Sequence, residues 1–97
     1  MNIKIQSVHF TADKKLEEFI EQKVAKLFQL SEQVLSSEVI LKLDKSEDME
    51  NKVTEIKLNI PGNDLFAKKQ AKTFEEATDS AIEALRRQLI KQKDKNR

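Results

Sequence analysis

The residues of this chain best suited to a binding chemistry lie in its last fourteen positions, ALRRQLIKQKDKNR, residues 84–97. Six of them are basic (Arg86, Arg87, Lys91, Lys93, Lys95 and Arg97) and one, Asp94, is acidic. Such a cluster can grip a polyanion through Lys/Arg–phosphate contacts. It can also be a solvated helix end, because basic side chains complement the C-terminal end of a helix dipole by about 0.3–1 kcal/mol each. One or two cations need no further account, but six exceed what capping requires. On the residues alone, polyanion binding and a solubilising end both remain open.

Other chemistries find few of the groups they need. His9 is the only histidine and there is no cysteine. No second imidazole or thiol can join a Ser or Thr in a nucleophilic constellation, and neither disulfides nor thiolate metal sites can form. His9 is expected to be a polar residue at a strand end. Glu47, Asp48 and Glu50 lack the ligand spacing and turn glycine of a calcium loop. Gly62, the sole glycine, cannot build a phosphate-binding glycine loop. The chain has no Tyr or Trp, and its five Phe lie mostly at core spacing, with Phe66 expected to be exposed. Recognition of a nucleic acid should then rest on phosphates and shape rather than on stacked bases. An enzyme is the least supported class, and no cofactor or metal is expected.

The elements must position that basic end. Ninety-seven residues, 36% charged and 38% hydrophobic, imply one domain, 1–97, burying roughly two-thirds of its unfolded surface; the last few residues read as a charged tail. No apolar run approaches the ~20 residues of a membrane span, and the opening MNIKIQSVHF lacks the core and cleavage site of a signal peptide. A cytoplasmic protein with no membrane partner is expected. The net charge of +1 hides a segregation. Residues 1–67 hold nine basic and twelve acidic residues, whereas residues 68–97 hold nine basic and five acidic, which bears on partners more than the total does.

Alternation in NIKIQSV (2–8) predicts a strand. Thr11 or Asp13 then caps a helix, DKKLEEFIEQKVAKLFQL (13–30), whose apolar positions recur at helical spacing. SSEVILKLD (36–44) is a second strand, residues 45–52 a loop, and VTEIKLNI (53–60) a third strand. PGND (61–64) is a turn and LFAKKQAKT (65–73) a fourth strand. Thr73 and Glu76 fit a capping box opening a helix over 74–93. The order β-α-β-β-β-α predicts an α+β fold: a four-stranded mixed sheet, its first two strands parallel through a helical crossover, with both helices on one face. This arrangement resembles a double-stranded RNA-binding domain.

With Leu85 at 0° and about 100° per residue, Phe74, Thr78, Ala81, Ile82, Leu85 and Leu89 share one sector of about 100° that should face the sheet. Arg87, at about 200°, and Lys91, at about 240°, point clear of it, while Arg86 and Lys93 flank it on the other side. In the first helix Lys23 lies inside the apolar stripe, between Phe19 and Leu27, so its ammonium must snorkel to an edge. The groove between the two helices is the simplest edge, and Lys26 borders the same side. Lys68 and Lys72 fall on one face of the strand before the last helix, and Lys69 on the other.

AIEALRRQLIKQKDK, preceded by TFEEATD, resembles the ribosome hibernation promoting factor family, which includes the ribosome-associated inhibitor called protein Y and once bore the label sigma factor modulation protein. NIKIQSVHF, VAKLFQL and VILKL also match, and the resemblance spans essentially the whole chain. It implies binding to the small ribosomal subunit in the channel for messenger and transfer RNA, with inhibition of translation in idle or stressed cells. The family's contacts to ribosomal RNA would fall here on Lys23 and Lys26 of the first helix and Arg87 and Lys91 of the last, extended by Lys93 and Lys95. Arg86, Lys68 and Lys72 add further candidate RNA contacts. The chain departs from the family at Ala84, a basic position in some members, and at Glu75, where an aromatic is common. A general structured-RNA-binding domain and a protein-interaction module acting on transcription are the alternatives. The charged helix end and the absence of a linker or second hydrophobic pattern after it lead to the expectation of a monomer off the ribosome.

Overall fold

The computed structural model describes residues 2–45 and 49–95, with side chains as far as Gln92. Its elements are β1 (Ile3–Ser7), α1 (Lys14–Leu30), β2 (Ser36–Leu43), β3 (Lys52–Ile60), β4 (Asn63–Ala71) and α2 (Phe74–Lys95). The sheet order is β1-β2-β3-β4. β1 pairs parallel with β2, and the other neighbours pair antiparallel. The β-α-β-β-β-α architecture expected from the sequence is present.

Most boundaries shift by one or two residues from the sequence expectation, and two of the shifts have a clear physical cause. Ile60 pairs with Asn63, so the hairpin loop is only Pro61-Gly62 rather than four residues. Gly62 sits at φ 82°, and Pro followed by a positive-φ Gly matches a type II turn. α2 also continues to Lys95, two residues past the expected end, since nothing in IKQKDK breaks a helix.

The helix starts follow local hydrogen bonding. Asp13, in extended conformation, accepts the Leu16 N–H at 2.8 Å, so Asp13 rather than Thr11 is the cap of α1. Thr73 Oγ1 accepts the Glu76 N–H at 3.0 Å. Among the described residues the reciprocal bond from the Thr73 N–H to the Glu76 carboxylate is not made, so only half of the capping box forms. His9 is exposed, just past the end of β1, at φ 65°, a region where His is tolerated better than most residues. Phe10 beside it stacks on Phe74 with ring centroids 5.1 Å apart. The entry to α1 is thereby tied to the start of α2.

Strand alternation sorts the sheet residues onto two faces. Ile3, Ile5, Val39, Leu41, Ile56, Leu58, Leu65 and Ala67 line the face under the helices and form one cluster with Ile20, Val24 and Leu27 of α1 and Ala81, Leu85 and Leu89 of α2. Leu85 is fully buried, at the centre of the sector the helical wheel assigns to the core. Thr54 of β3 and Thr78 of α2, both fully buried, share a hydrogen bond of 3.3 Å. That polar pair fixes α2 over β3, since slippage would leave two buried hydroxyls without partners.

Candidate nucleic-acid interface

α1 and α2 pack side by side on the sheet and run in the same direction. Lys23 of α1 faces Asp79 of α2, and further along both helices Lys26 and Leu30 line the same cleft as Glu83 and Arg86. Each helix carries most of its carboxylates early and cations late: Glu17, Glu18 and Glu21 before Lys23 and Lys26, and Glu75, Glu76, Asp79 and Glu83 before Arg86, Arg87 and Lys91. Lys14 and Lys15 are the exceptions in α1. Parallel packing places the two cation-rich halves together.

Between them lies a cleft of about 370 Å³, with Leu27, Leu30 and Ile82 supplying apolar surface and Lys23, Lys26, Asp79, Glu83 and Arg86 its charges. The Lys23 ammonium does reach the groove. It lies 5.4 Å from the centroid of the Phe19 ring and 3.5 Å from Asp79 Oδ1. The stem thus stays on apolar surface while the charge finds a ring face and a carboxylate. Arg86 turns into the cleft and donates to both oxygens of Glu83, Nε at 3.1 Å and Nη2 at 3.0 Å. Arg87 Nε stands 3.5 Å from Glu83 Oε1, but its side chain is 74% exposed. Lys26 and Lys91 are exposed, and among the described residues no carboxylate pairs with either. The Arg86 hydrogen bond holds the Glu83 carboxyl below its ordinary range, so at neutral pH Glu83 is an anion set among cations.

Not every candidate lies on this surface. Lys68 pairs opposite Glu55 on the helix-free face of the sheet, because a period of two turns it away from Ala67 and Lys69. Lys72 is exposed just past β4, before the first turn of α2. It lies about 20 Å along the helix axis from Arg87 at 1.5 Å per residue. Lys93 and Lys95 continue α2 as backbone, but their side chains are outside the described residues, as is Arg97. The loop carboxylates Glu47 and Asp48 are outside them too. Among the described residues no group of His, Cys, Asp or Glu could hold a metal ion, and no helix is long and apolar enough to cross a membrane.

The residues that sequence reasoning overlooked are the carboxylates Asp79 and Glu83. Glu83 was within reach, since its spacing of three and four residues from Arg86 and Arg87 is that of helical ion pairs. The Asp79–Lys23 pair had no sequence signal, because it joins positions far apart in the chain. Gln88 was also overlooked; its side-chain amide donates to the Phe66 carbonyl at 3.1 Å and anchors α2 to β4.

Comparison with known proteins places this arrangement. Two solved structures superpose closely. A ribosomal subunit interface protein from Coxiella burnetii matches with TM-score 0.86 at 19% identity over 97% of this chain and 99% of its own. The N-terminal domain of Thermus thermophilus Protein Y matches with TM-score 0.77 at 24% identity over 91% of this chain and 94% of its own. At these identities the likeness speaks for the fold. In sequence, the ribosome hibernation promoting factor of Salmonella typhimurium strain LT2 is 32% identical over 95 residues, covering 98% of this chain and 94% of the relative. The family model described as Sigma 54 modulation protein / S30EA ribosomal protein matches residues 3–97, and with it the chain belongs to that family.

Proposed function

We propose that this protein is a non-catalytic ribosome-binding factor that occupies the messenger and transfer RNA channel of the small subunit and keeps idle or stressed ribosomes out of translation. The observation that carries the proposal is the ridge formed by the parallel helices, where Lys23, Lys26, Arg86, Arg87 and Lys91 are presented by packed elements. Cations mounted on a rigid scaffold hold phosphates with less ordering cost than cations in a coil. Family membership and the hibernation factor among the relatives support the same reading. Lys93 and Lys95 would extend the ridge along α2. Lys68, on the opposite sheet face, and Lys72, at the far end of α2, would lie outside the contact. The mechanism is steric exclusion in the cytoplasm, with affinity from Lys/Arg–phosphate contacts to ribosomal RNA. The protein acts as a single domain and a monomer off the ribosome.

Sedimentation with purified small subunits tests this. The protein should travel with the subunit and be displaced by messenger RNA with bound transfer RNA. Failure to co-sediment, or co-sedimentation unaffected by saturating messenger and transfer RNA, would reject channel occupancy. Binding to free RNA duplexes as tightly as to subunits would instead mark a general structured-RNA-binding domain, whose helix-on-sheet layout this fold shares. Retention on RNA polymerase subunits without ribosomes would mark a transcriptional role.

A further inference from the structure

We propose that Asp79 and Glu83 occupy the place of RNA phosphate in the cleft between α1 and α2, and that they set specificity by suppressing binding to unrelated RNA. The inference rests on the ribosome-binding reading and names residues for which that reading has no use. A surface built only to attract a polyanion would have no carboxylate at its centre. Here two stand there, and each engages cations of the ridge: Asp79 takes Lys23 across the cleft, and Glu83 takes Arg86 and Arg87 along α2.

Stability does not account for them. Both side chains are about half exposed, at 55% and 45%, and exposed ion pairs contribute little to folding. Their effect on an approaching phosphate is larger. A phosphate that binds the remaining Nη1 edge of Arg86 does so beside the Glu83 carboxylate, and one that takes Nε and Nη2 must displace that carboxylate from 3.1 and 3.0 Å. The released carboxylate remains beside it as a like charge. An RNA that reaches only Arg86 and Arg87 therefore exchanges one anion for another and gains little. An RNA shaped to take Lys26 and Lys91, which have no carboxylate partner among the described residues, need not displace Glu83 and gains contacts that nothing offsets. Selectivity is a difference between two affinities, and a repulsive element lowers the unwanted one. The cleft, at about 370 Å³, is large enough to admit part of a sugar–phosphate backbone.

The test measures dissociation constants of the parent, Glu83→Gln, Asp79→Asn and Glu83→Asp for a short RNA duplex of unrelated sequence and for purified small subunits, over a salt series. Glu83→Gln should tighten duplex binding about tenfold and steepen its log–log salt slope by up to about one, as one more cation becomes available. Asp79→Asn should act in the same direction. Glu83→Asp keeps the charge and should stay near the parent. Subunit affinity should rise less than duplex affinity, so that discrimination falls. Duplex affinity and salt slope unchanged or lower in both amide variants, with melting temperatures showing them folded, would overturn the proposal. So would a rise of equal size for duplex and subunit. Should one amide variant not fold, the other decides. The duplex measurements read the carboxylates directly, whereas a parent that ignores small subunits would count against the ribosome-binding function, so the two failures are told apart.

Discussion

The two outer surfaces of this protein use their lysines and arginines differently. On the helix-free face of the sheet, the strand register sets Lys4 opposite Glu38, Glu38 opposite Lys57, and Glu55 opposite Lys68. Lys42 lies 2.5 Å from Glu55, and Lys57 lies 3.8 Å from Glu38 and 3.6 Å from Asp64. Cations and carboxylates alternate across the strands and nearly cancel. On the helix pair, Lys14 and Lys15 aside, the carboxylates precede the cations along each helix, and among the described residues Lys26 and Lys91 have no anion. A sheet holds neighbours at fixed short spacing, so charges on it pair with each other. Two helices lying in parallel preserve their lengthwise segregation, and the cation-rich end is left able to take an external polyanion.

The strongest test of that contrast removes the support that both surfaces share. Leu85→Ala deletes a fully buried side chain between α2 and the sheet and should cost about 2–5 kcal/mol, read as a lowered denaturation midpoint. An unchanged midpoint would show that α2 is not seated as described. Charge reversal at Arg87 and Lys91 should lower the midpoint only slightly, since it replaces the exposed Arg87–Glu83 pair by a like-charge pair on the helix surface, and should weaken small-subunit binding at least about 100-fold, since two charge-assisted contacts become repulsive. Near-parent affinity in the folded double variant would end the helix-ridge proposal. Asp13→Ala removes the cap bond to the Leu16 N–H and should cost about 1 kcal/mol, loosening the start of α1 by hydrogen exchange while Lys23 and Lys26, further along, keep their place. The smallest effect should come from the opposite face. Lys4→Glu with Lys68→Glu should change small-subunit affinity less than about twofold, because neither residue shares a face with the ridge. A loss as large as that of the helix variants would mean that the sheet face also meets the ribosome.

Much of the fold was legible because its signals are local. Alternation of Ile3 and Ile5, or of Ile56, Leu58 and Ile60, marks strands through a period of two. The recurrence of Phe74, Thr78, Ala81, Leu85 and Leu89 marks the buried face of α2 through a period of 3.6. Asp13 and Thr73 mark helix starts because their side-chain oxygens satisfy free backbone N–H groups. The wheel also carried Lys23 to the groove, since a lysine in an apolar stripe must bring its charge out somewhere. The hairpin loop was less legible. Pro61 and Gly62 announce a turn, but the pairing of Ile60 with Asn63 depends on how β3 and β4 register over their whole length. The face of Lys68 follows from the parity of β4 with Ala67, but which face the helices cover depends on the packed core.

By itself, then, the sequence determined which segments are helix and strand, which stripe of each is apolar, and that each helix becomes more basic toward its C-terminus. Those properties depend on neighbours within a few residues along the chain. Only the tertiary structure decided that α1 and α2 run in the same direction with Lys23 beside Asp79, that Glu83 stands between two arginines and an open cleft, and that Lys68 faces away from all of them. A charge acquires its partner by proximity in space, and positions more than fifty residues apart become neighbours only when a shared core brings their elements together.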